Sequence, residues 1–371
     1  MNKKTGIKTA PPRATPKASI DGFRERIDKI DIEILKLLNI RASFALEIGK
    51  AKARTRSEAY VPEREEQVCK RLLDANAGPF PDAGLKGVFR EIMSACRGLE
   101  KPLRIAFLGP TATFTHEAAI QRFGSSAEFI AKKDIADVFD DVEKDRADFG
   151  VVPIENSSEG VVNHTLDMLI TSLLKINAEV MLPVTMAILN KSGRLGDVRK
   201  VCSRPHAIAQ CKGWLKENLS DAVVEEVSST ALGAQMSAEE PSIAAIASPA
   251  AAGLYGLQVV ANHIEDNANN FTRFLVVGKA EGRKTGNDKT SILFAIKDAP
   301  GALYMMLKPF ARRKINLTKI ESRPIKTKAW EYVFFADLDG HISDGKVAAA
   351  LGELEGACSF LKVLGSYPKP Q

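Results

Sequence analysis

The sequence lacks long apolar runs and the residue patterns that mark cross-linked or metal-bound folds. No apolar stretch approaches the ~20 residues that a membrane-spanning helix requires, so no membrane partner is expected. The five cysteines are scattered, without a CxxC pair, and no histidine cluster has metal-ligand spacing. These absences predict a reducing cytoplasm, no metal and no cofactor.

Positive charge is concentrated at the start of the chain. The net charge is +6, but residues 1–18 alone contain five Lys or Arg and no acid. This segment has too little apolar content to fold, and it lacks the apolar core of a signal peptide. We expect a disordered basic tail at 1–18 and no nucleic-acid partner.

The 371 residues allow two to four domains, and the first of them is predicted to be helical. Between residues 20 and 53, apolar residues recur at three- and four-residue steps without a proline, which predicts one long amphipathic helix. At 1.5 Å per residue it would be roughly 50 Å long, so it needs a partner surface. Two more helices are predicted, one starting at Pro62 and one at about 82–100.

Three cations on the long helix differ in their spacing. Arg41 and Lys52 are eleven residues apart, close to three turns, and therefore share a face. Arg24 precedes Arg41 by 17 residues, which is roughly 25 Å along the axis and about a quarter turn around it. One straight helix cannot bring both Arg24 and Arg41 to one small ligand.

After Pro102 the pattern changes to alternating strands and helices. Residues 103–108 have the pattern of a buried strand, and a Gly-Pro turn and a helix from about Thr115 follow. Similar strands are predicted at 149–153 and 244–247. This alternation predicts α/β layers, in which sites form where strand ends meet helix N-termini.

The last segment follows a polar, glycine-containing linker at 280–288. Its order βαββαβ is that of a ferredoxin-like sandwich. The predicted strands are 291–296, 316–322, 331–337 and 360–364, and the predicted helices are 300–313 and 343–351.

Five short runs carry a family resemblance. Gly-Pro-Thr-Ala-Thr-Phe-Thr-His at 109–116, a predicted turn Pro-Ile-Glu-Asn-Ser-Ser-Glu-Gly at 153–160, and Asn-Phe-Thr-Arg-Phe at 270–274 resemble the prephenate dehydratases. Gly-Ala-Leu-Tyr at 301–304 and Glu-Ser-Arg-Pro at 321–324 resemble the ligand motifs of phenylalanine-binding ACT domains. The N-terminal helical segment resembles an AroQ-type chorismate mutase.

The chain as a whole is therefore similar to the bifunctional chorismate mutase/prephenate dehydratases, or P-proteins. The resemblance implies an all-α AroQ-type mutase domain at 19–101 and a two-lobed α/β dehydratase domain, similar to periplasmic binding proteins, at 102–280. It implies an α+β ferredoxin-like ACT domain at 289–368. The implied function is conversion of chorismate to prephenate and of prephenate to phenylpyruvate, under feedback by L-phenylalanine.

The resemblance implies a mutase site shared between two chains of a homodimer or higher homo-oligomer. Chorismate is a dianion, and its rearrangement needs a compact pose and charge stabilisation at the breaking ether oxygen. The implied residues are Arg24 reaching into the neighbouring site, Arg41, Lys52, Arg64, Glu65 and Glu100. Glu100 must be protonated to donate to the ether oxygen. Val61 and Cys96 fill positions that are polar in some relatives, so a role in dimerisation alone stays open for this segment.

For the dehydratase, the resemblance implies that Thr272 assists departure of the hydroxyl, as proton donor or by orienting it. Prephenate is also a dianion, and its dehydration calls for neutral donors in a dry cleft. The implied substrate contacts are Thr113, Thr115, Glu155, Asn156, Ser203, Gln210 and Arg273. Helix capping by Thr113 and Thr115, and a satisfied strand hydroxyl at Thr272, are structural alternatives. Ala112 stands where many relatives have glycine.

The implied phenylalanine site draws on both ACT motifs. Gly301 and Ala302 leave room for a small ligand, and free amides at a helix start suit a carboxylate. The effector set is Gly301, Ala302, Leu303, Glu321, Ser322 and Arg323. A plain helix entry at Gly301 and a surface charge at Arg323 are the alternatives. For the chain as a whole, the alternative is a non-enzymatic two-lobed binding module.

Overall fold

The computed structural model describes residues 20–55, 62–267, 269–296, 299–324 and 332–370. The predicted tail at 1–18 and Val61 lie outside the described residues. The chain divides into two units, and the second begins at Tyr60; the described residues of the first unit form one helix.

Helix α1 (Ile20–Thr55) confirms the long helix predicted at 20–53. Its apolar side chains are largely exposed, with Phe23 at 46%, Ile30 at 53% and Phe44 at 66%. In the second unit, α2 (Pro62–Ala75) and α3 (Asp82–Glu100) confirm the two other predicted helices.

Two α/β lobes follow, as predicted. The first lobe contains β1 (Arg104–Leu108), α4 (Phe114–Phe123), β2 (Glu128–Lys132), α5 (Ile135–Glu143), β3 (Phe149–Asn156), β4 (Gly160–Val161), α6 (Asn163–Thr171) and β5 (Lys175–Pro183). The second contains β6 (Ala187–Asn190), a 3-10 turn (Leu195–Asp197), β7 (Lys200–Ser203), α7 (Pro205–Gln210), α8 (Lys212–Asn218), β8 (Val223–Glu226), α9 (Thr230–Glu239), β9 (Ile243–Ala247), α10 (Ala250–Tyr255) and β10 (Gln258–Asn262). Strand β11 (Phe271–Gly278) then returns to the first lobe.

Each lobe has its own mixed sheet. The first has the order β2-β1-β3-β11-β5, with β4 paired to β3, and the second has the order β10-β6-β9-β7-β8. Strand β11 comes after the second lobe in the sequence, yet it lies between β3 and β5 and is antiparallel to both. The first lobe is therefore closed by a segment that has already passed through the second lobe.

The run at 153–156 was predicted as a turn, and that prediction is wrong, because these residues form the end of strand β3. Proline normally interrupts a central strand, since it has no N–H to donate. Here Pro153 lies opposite a register shift between Arg273 and Phe274 of β11, and such a bulge accommodates a missing ladder hydrogen bond.

The C-terminal part confirms the predicted βαββαβ order. Its elements are β12 (Asp288–Ile296), α11 (Ala302–Arg312), β13 (Leu317–Pro324), β14 (Tyr332–Asp339), α12 (Gly345–Ala357) and β15 (Phe360–Pro368). The four strands form an antiparallel sheet in the order β13-β14-β12-β15. Residues of α11 and α12 pack on one face of it in a single apolar cluster.

All five cysteines of the sequence are free thiols. Among the described residues, no group of three or more His, Cys, Asp or Glu has an arrangement that could hold a metal ion. Within the same part of the chain, every helix is too short or too polar to cross a membrane.

Candidate functional site

Two polar side chains meet at neighbouring strand ends in the first lobe. Thr272 of β11 lies opposite Asn156 of β3, although 116 residues separate them in the sequence. Asn156 Nδ2 donates to Thr272 Oγ1 at 2.8 Å and to Asn270 Oδ1 at 2.9 Å. Asn156 and Asn270 are buried and Thr272 is half-buried, so the pair borders the surface of the lobe.

The hydrogen bonds of the Asn156 side-chain oxygen fix the orientation of the amide group. Asn156 Oδ1 accepts from the backbone N–H groups of Ser158, at 2.9 Å, and Glu159, at 3.0 Å. The amide nitrogen must therefore face Thr272, whose Oγ1 acts as an acceptor. Because a hydroxyl has one proton, that proton can be donated to a further group.

Glu155 and Arg273 face away from this pair. They lie opposite one another in the ladder, one residue from Asn156 and Thr272, and successive side chains in a strand point to opposite faces. Arg273 is 7% exposed, and its guanidinium is 2.6 Å from Glu179 and 2.7 Å from Asp337. The geometry does not support the substrate contacts predicted for Glu155 and Arg273, because strand alternation points both side chains at the ACT sheet.

The run at 109–116 forms the start of α4, and Thr113 is its N-cap. Thr113 Oγ1 accepts from His116 N at 3.4 Å and donates to Pro110 O at 3.0 Å, so the capping alternative describes this residue. Thr115 is buried in the first turn. His116 stacks on Phe107, and burial lowers the pKa of His116, which favours the neutral ring.

Ser203 is fully buried, and its hydroxyl donates to Ile246 O at 2.6 Å. The geometry therefore does not support its predicted contact with substrate. Gln210 Nε2 lies 2.8 Å from His206 Nε2, and Gln210 Oε1 has no hydrogen-bond partner among the described residues. Ser203 thus belongs to the packing of the second lobe, whereas Gln210 keeps a buried acceptor that no described residue satisfies.

A contact between the lobes involves residues to which sequence analysis gave no role. Glu159 of the first lobe lies 2.7 Å from His206 and 3.3 Å from Arg204, both at the start of α7 in the second lobe. Arg204 Nε is buried and has no partner among the described residues. Glu159 lies in the motif run at 153–160 and Arg204 follows the predicted contact Ser203, but only the fold brings them together.

The mutase residues lie on three helices. Arg24, Arg41 and Lys52 are on α1, and Arg24 is highly exposed, with Asp21 at 3.2 Å. Arg64 and Glu65 are on α2, and half-buried Glu100 ends α3. Glu65 forms an ion pair with Arg97 of α3, whose Nη2 also donates to Phe123 O at 2.6 Å. Sequence analysis did not identify Arg97.

The alternation of side chains along β13 places the predicted effector residues of this strand on two different faces of the ACT sheet. Gly301 has φ +77° and precedes α11, whose first turn contains Ala302 and Leu303. On β13 the exposed and half-buried residues alternate, so Ser322 and Arg323 lie on opposite faces. Arg323 contacts Asp167 at 3.0 Å and the carbonyl of Asn163, both in α6. The geometry therefore groups Ser322 with the helix side of the sheet, and Glu321 and Arg323 with the first lobe.

Comparison with known families matches three segments of the chain in order. The family model for chorismate mutase type II matches residues 23–101, that for prephenate dehydratase matches 105–282, and that for the ACT domain matches 290–356. The fold and the matched segments define a class of multidomain enzyme, a prephenate dehydratase with a helical chorismate mutase domain before it and an ACT domain after it.

Relatives of full length define the family. A bifunctional chorismate mutase/prephenate dehydratase from Aquifex aeolicus is 50% identical over 94% of this chain and 97% of its own length. One from Neisseria gonorrhoeae is 45% identical over 93% of this chain and 96% of its own length. The chain belongs to the family of bifunctional chorismate mutase/prephenate dehydratases.

A solved structure resembles the dehydratase and ACT parts. The prephenate dehydratase of Arthrobacter aurescens in complex with L-Phe has a TM-score of 0.67 and 38% sequence identity, and the match covers 72% of this chain and 90% of that chain.

Proposed function

We propose that this chain converts chorismate to prephenate and prephenate to phenylpyruvate in L-phenylalanine biosynthesis, and that L-phenylalanine inhibits it. Membership of the bifunctional family and the three matched segments support both activities. The proposed domains are the mutase at 19–101, the dehydratase at 102–280 and the ACT domain at 289–368.

The observation that carries the dehydratase assignment is the Asn156–Thr272 pair. Loss of carbon dioxide and water from prephenate forms an aromatic ring, which supplies the driving force, so the protein has mainly to assist the departing hydroxyl. Thr272 donates its proton in a hydrogen bond to that hydroxyl, and Asn156 keeps the threonine oxygen oriented for this. A threonine hydroxyl is too weak an acid to transfer its proton fully, so its contribution is orientation and stabilisation of charge.

A substrate carboxylate requires a cation at the cleft, and Arg204 is better suited to this role than Arg273. Arg273 is surrounded by carboxylates on the face opposite Thr272. Arg204 lies at the contact between the lobes and retains a buried Nε with no partner among the described residues.

The mutase site is proposed to use Arg24, Arg41, Lys52, Arg64, Glu65 and Glu100 in a homodimer. The exposed apolar side chains of α1 support a dimer, because a long amphipathic helix needs a surface to cover such a stripe. Arg24 and Arg41 then belong to different sites, since they are too far apart along one helix.

The effector is proposed to bind the ACT domain at Gly301, Ala302, Leu303 and Ser322. Gly301, the N-cap of α11, makes no side-chain cap hydrogen bond, and the start of a helix suits the carboxylate of an amino acid. A cytoplasmic location is proposed on the basis of the five free thiols, since a reducing compartment keeps thiols free.

Separate assays of the two activities test the proposal. The purified chain should form phenylpyruvate from chorismate, and added L-phenylalanine should reduce the rate. Arg41→Ala should abolish mutase activity and leave dehydration of prephenate, and Thr272→Ala should do the reverse, with a loss of roughly 10²-fold or more. A chain that dehydrates prephenate but never consumes chorismate would make the helical domain a dimerisation element. A chain with neither activity would favour the binding module.

A further inference from the structure

The turn between β3 and β4, residues 157–159, determines the direction of the Asn156 amide. The backbone N–H groups of Ser158 and Glu159 donate to Asn156 Oδ1 at 2.9 and 3.0 Å. These two bonds leave the amide nitrogen to donate to Thr272 Oγ1. The contact between Asn156 and Thr272 therefore requires that this turn keeps its conformation.

Both lobes hold this turn. On the side of the first lobe, Ser157 exchanges two hydrogen bonds with Phe271 of β11, at 2.9 and 3.0 Å. On the side of the second lobe, the Glu159 carboxylate lies 2.7 Å from His206 Nε2 and 3.3 Å from Arg204 Nη2. Glu159 therefore contributes its backbone to the candidate site and its side chain to a contact with the second lobe.

The contact of Glu159 with His206 is a directed hydrogen bond. An ionised carboxylate has no proton to donate, so at 2.7 Å the proton belongs to His206 Nε2. Gln210, one turn further along α7, contacts the same ring nitrogen at 2.8 Å through its side-chain amide. The side chains of Glu159 and His206 are 38% and 35% exposed, and ion pairs exposed to this extent contribute little to the stability of a fold. Loss of the carboxylate should therefore leave the protein folded.

The Asn156 amide lies where the two lobes join. The chain crosses twice between the lobes, and Asn270 lies in the second crossing, between β10 and β11. Asn270 Oδ1 accepts from Asn156 Nδ2 at 2.9 Å, and Asn270 O accepts from Val184 N of the first crossing at 2.8 Å. The relative position of the lobes therefore acts on Asn156 from two sides, through Asn270 and through Glu159.

We propose that Glu159 is a positioning residue for dehydration, which connects the second lobe to the Asn156–Thr272 pair. Its carboxylate holds the turn against Arg204 and His206, and its backbone N–H keeps the Asn156 oxygen turned away from Thr272. The inference rests on the proposed function of the Asn156–Thr272 pair. It predicts that removal of the carboxylate lowers the rate of dehydration, although neither member of the pair is changed.

Two substitutions of Glu159 test the proposal in the full chain without phenylalanine. Glu159→Ala should lower kcat for prephenate about tenfold or more, because small displacements of a catalytic group have large effects on rate. Glu159→Gln keeps an oxygen that accepts from the His206 N–H, so it should retain kcat within about threefold of wild type. A loss confined to KM would show that Glu159 acts on substrate binding through Arg204, and it would overturn the positioning role.

A double-mutant cycle tests the contact with the second lobe. His206→Ala should lower kcat less than Glu159→Ala does, because Arg204 remains as a partner of the carboxylate. The double variant should have the kcat of Glu159→Ala, because loss of the carboxylate has already removed the contact with His206. Losses that multiply independently in the double variant would overturn the proposal.

Hydrogen exchange tests the turn without reference to activity. The backbone N–H groups of Ser158 and Glu159 should exchange with deuterium faster in Glu159→Ala than in wild type, because the turn is no longer held by the second lobe. Glu159→Gln should exchange as slowly as wild type. Unchanged exchange in Glu159→Ala would show that the carboxylate does not hold the turn, and the proposal would fail.

Two controls separate positioning from loss of fold. The mutase activity of each variant should remain at the wild-type level, and Glu217→Ala, at an exposed position on α8, should dehydrate prephenate normally. Wild-type kcat in Glu159→Ala would overturn the proposal.

Thr272→Ala distinguishes this failure from failure of the proposed function. If Thr272→Ala is inactive while Glu159→Ala is normal, the donor pair stands and the positioning role is wrong. If Thr272→Ala dehydrates prephenate normally, the proposed site is wrong, and with it the basis of the inference.

Discussion

At the scale of single residues, two positions near the start of α4 are locally unfavourable, Ala112 through its backbone conformation and Glu117 through a buried oxygen. Ala112 has φ +61°, in the left-handed region that favours glycine. Glu117 is half-buried, and its Oε2 has no hydrogen-bond partner among the described residues. Each feature leads to a separate prediction about the stability of the folded protein.

Ala112→Gly should stabilise the protein. A left-handed conformation costs an L-residue about 1–2 kcal/mol, and the extra chain entropy of glycine offsets about 0.5–1 kcal/mol of the gain. The free energy of unfolding in urea should therefore rise by about 0.5–1 kcal/mol. Ala118→Gly, at a buried position within α4, is the control and should lower it. A destabilised Ala112→Gly variant would contradict this account of the turn.

Glu117→Gln should stabilise the protein at neutral pH but not in acid. Burial raises the pKa of Glu117 in the folded protein above its ordinary value. The folded state therefore holds the proton more tightly, so the contribution of Glu117 to stability is present at low pH and is lost as the pH rises through the folded-state pKa. The gain in Tm of Glu117→Gln should be larger at pH 7 than at pH 4. The exposed Glu217→Gln should show no such difference, and a gain that is equal at both pH values would refute the prediction.

At the scale of elements, helix α3 packs against the segment that joins α4 to β2. Glu91 Oε2 accepts from Ser125 Oγ at 2.6 Å, and Ser94 Oγ accepts from Ser126 N at 3.2 Å. Gly124 lies so close to this helix that a Cβ would be 2.4 Å from Ser94 Cβ. At Gly124, which follows the end of α4, helix α3 therefore leaves no space for one more carbon atom.

Gly124→Ala should disrupt this packing. Gly124 has φ +75°, so alanine adds left-handed strain of about 1–2 kcal/mol and overpacking of about 1–3 kcal/mol. Gly256 has a similar φ of +65° and open space where a Cβ would be, so Gly256→Ala isolates the strain. The free energies of unfolding should fall in both variants, and further in Gly124→Ala. Equal losses of unfolding free energy in the two variants would contradict the prediction, because they would show that α3 moves to make space for the added carbon.

At the scale of the whole molecule, the spacing of Arg24 and Arg41 on α1 leads to a prediction for the dimer. Arg24→Ala and Arg41→Ala should each be nearly inactive as mutases, because each removes a cation from both sites of its own dimer. In a mixed dimer one site carries both lesions and the other is intact. After random re-association of equal amounts, two-fold symmetry makes about a quarter of all sites whole.

Mutase activity of the refolded mixture should therefore rise to about a quarter of wild type. Subunit exchange is verified with two differently tagged chains, and the separately refolded parents are the control. A mixture as inactive as its parents would show that Arg24 serves its own chain or has no role, and the shared site would be rejected.

The sequence by itself determined the long helix α1 and the order of elements in the ACT domain. The three- and four-residue apolar steps of α1 and the βαββαβ pattern are local, so a single chain segment contains all the information needed to predict them. The short motif runs likewise pointed to Thr272 and Asn156, each by itself; their pairing across 116 residues of sequence appears only in the fold. The identity of these residues is visible in the sequence.

Only the tertiary structure decided which face of the sheet each motif residue occupies. The run at 153–156 was expected to be a turn, and in a strand a shift of one residue moves a side chain to the opposite face. The alternation places Asn156 and Thr272 on one face and Glu155 and Arg273 on the other, where Glu155 and Arg273 contact the ACT domain. Their partners Lys319 and Asp337 lie in distant strands whose register depends on packing between sheets. No local pattern contains that information, because it arises only when both sheets are folded and in contact.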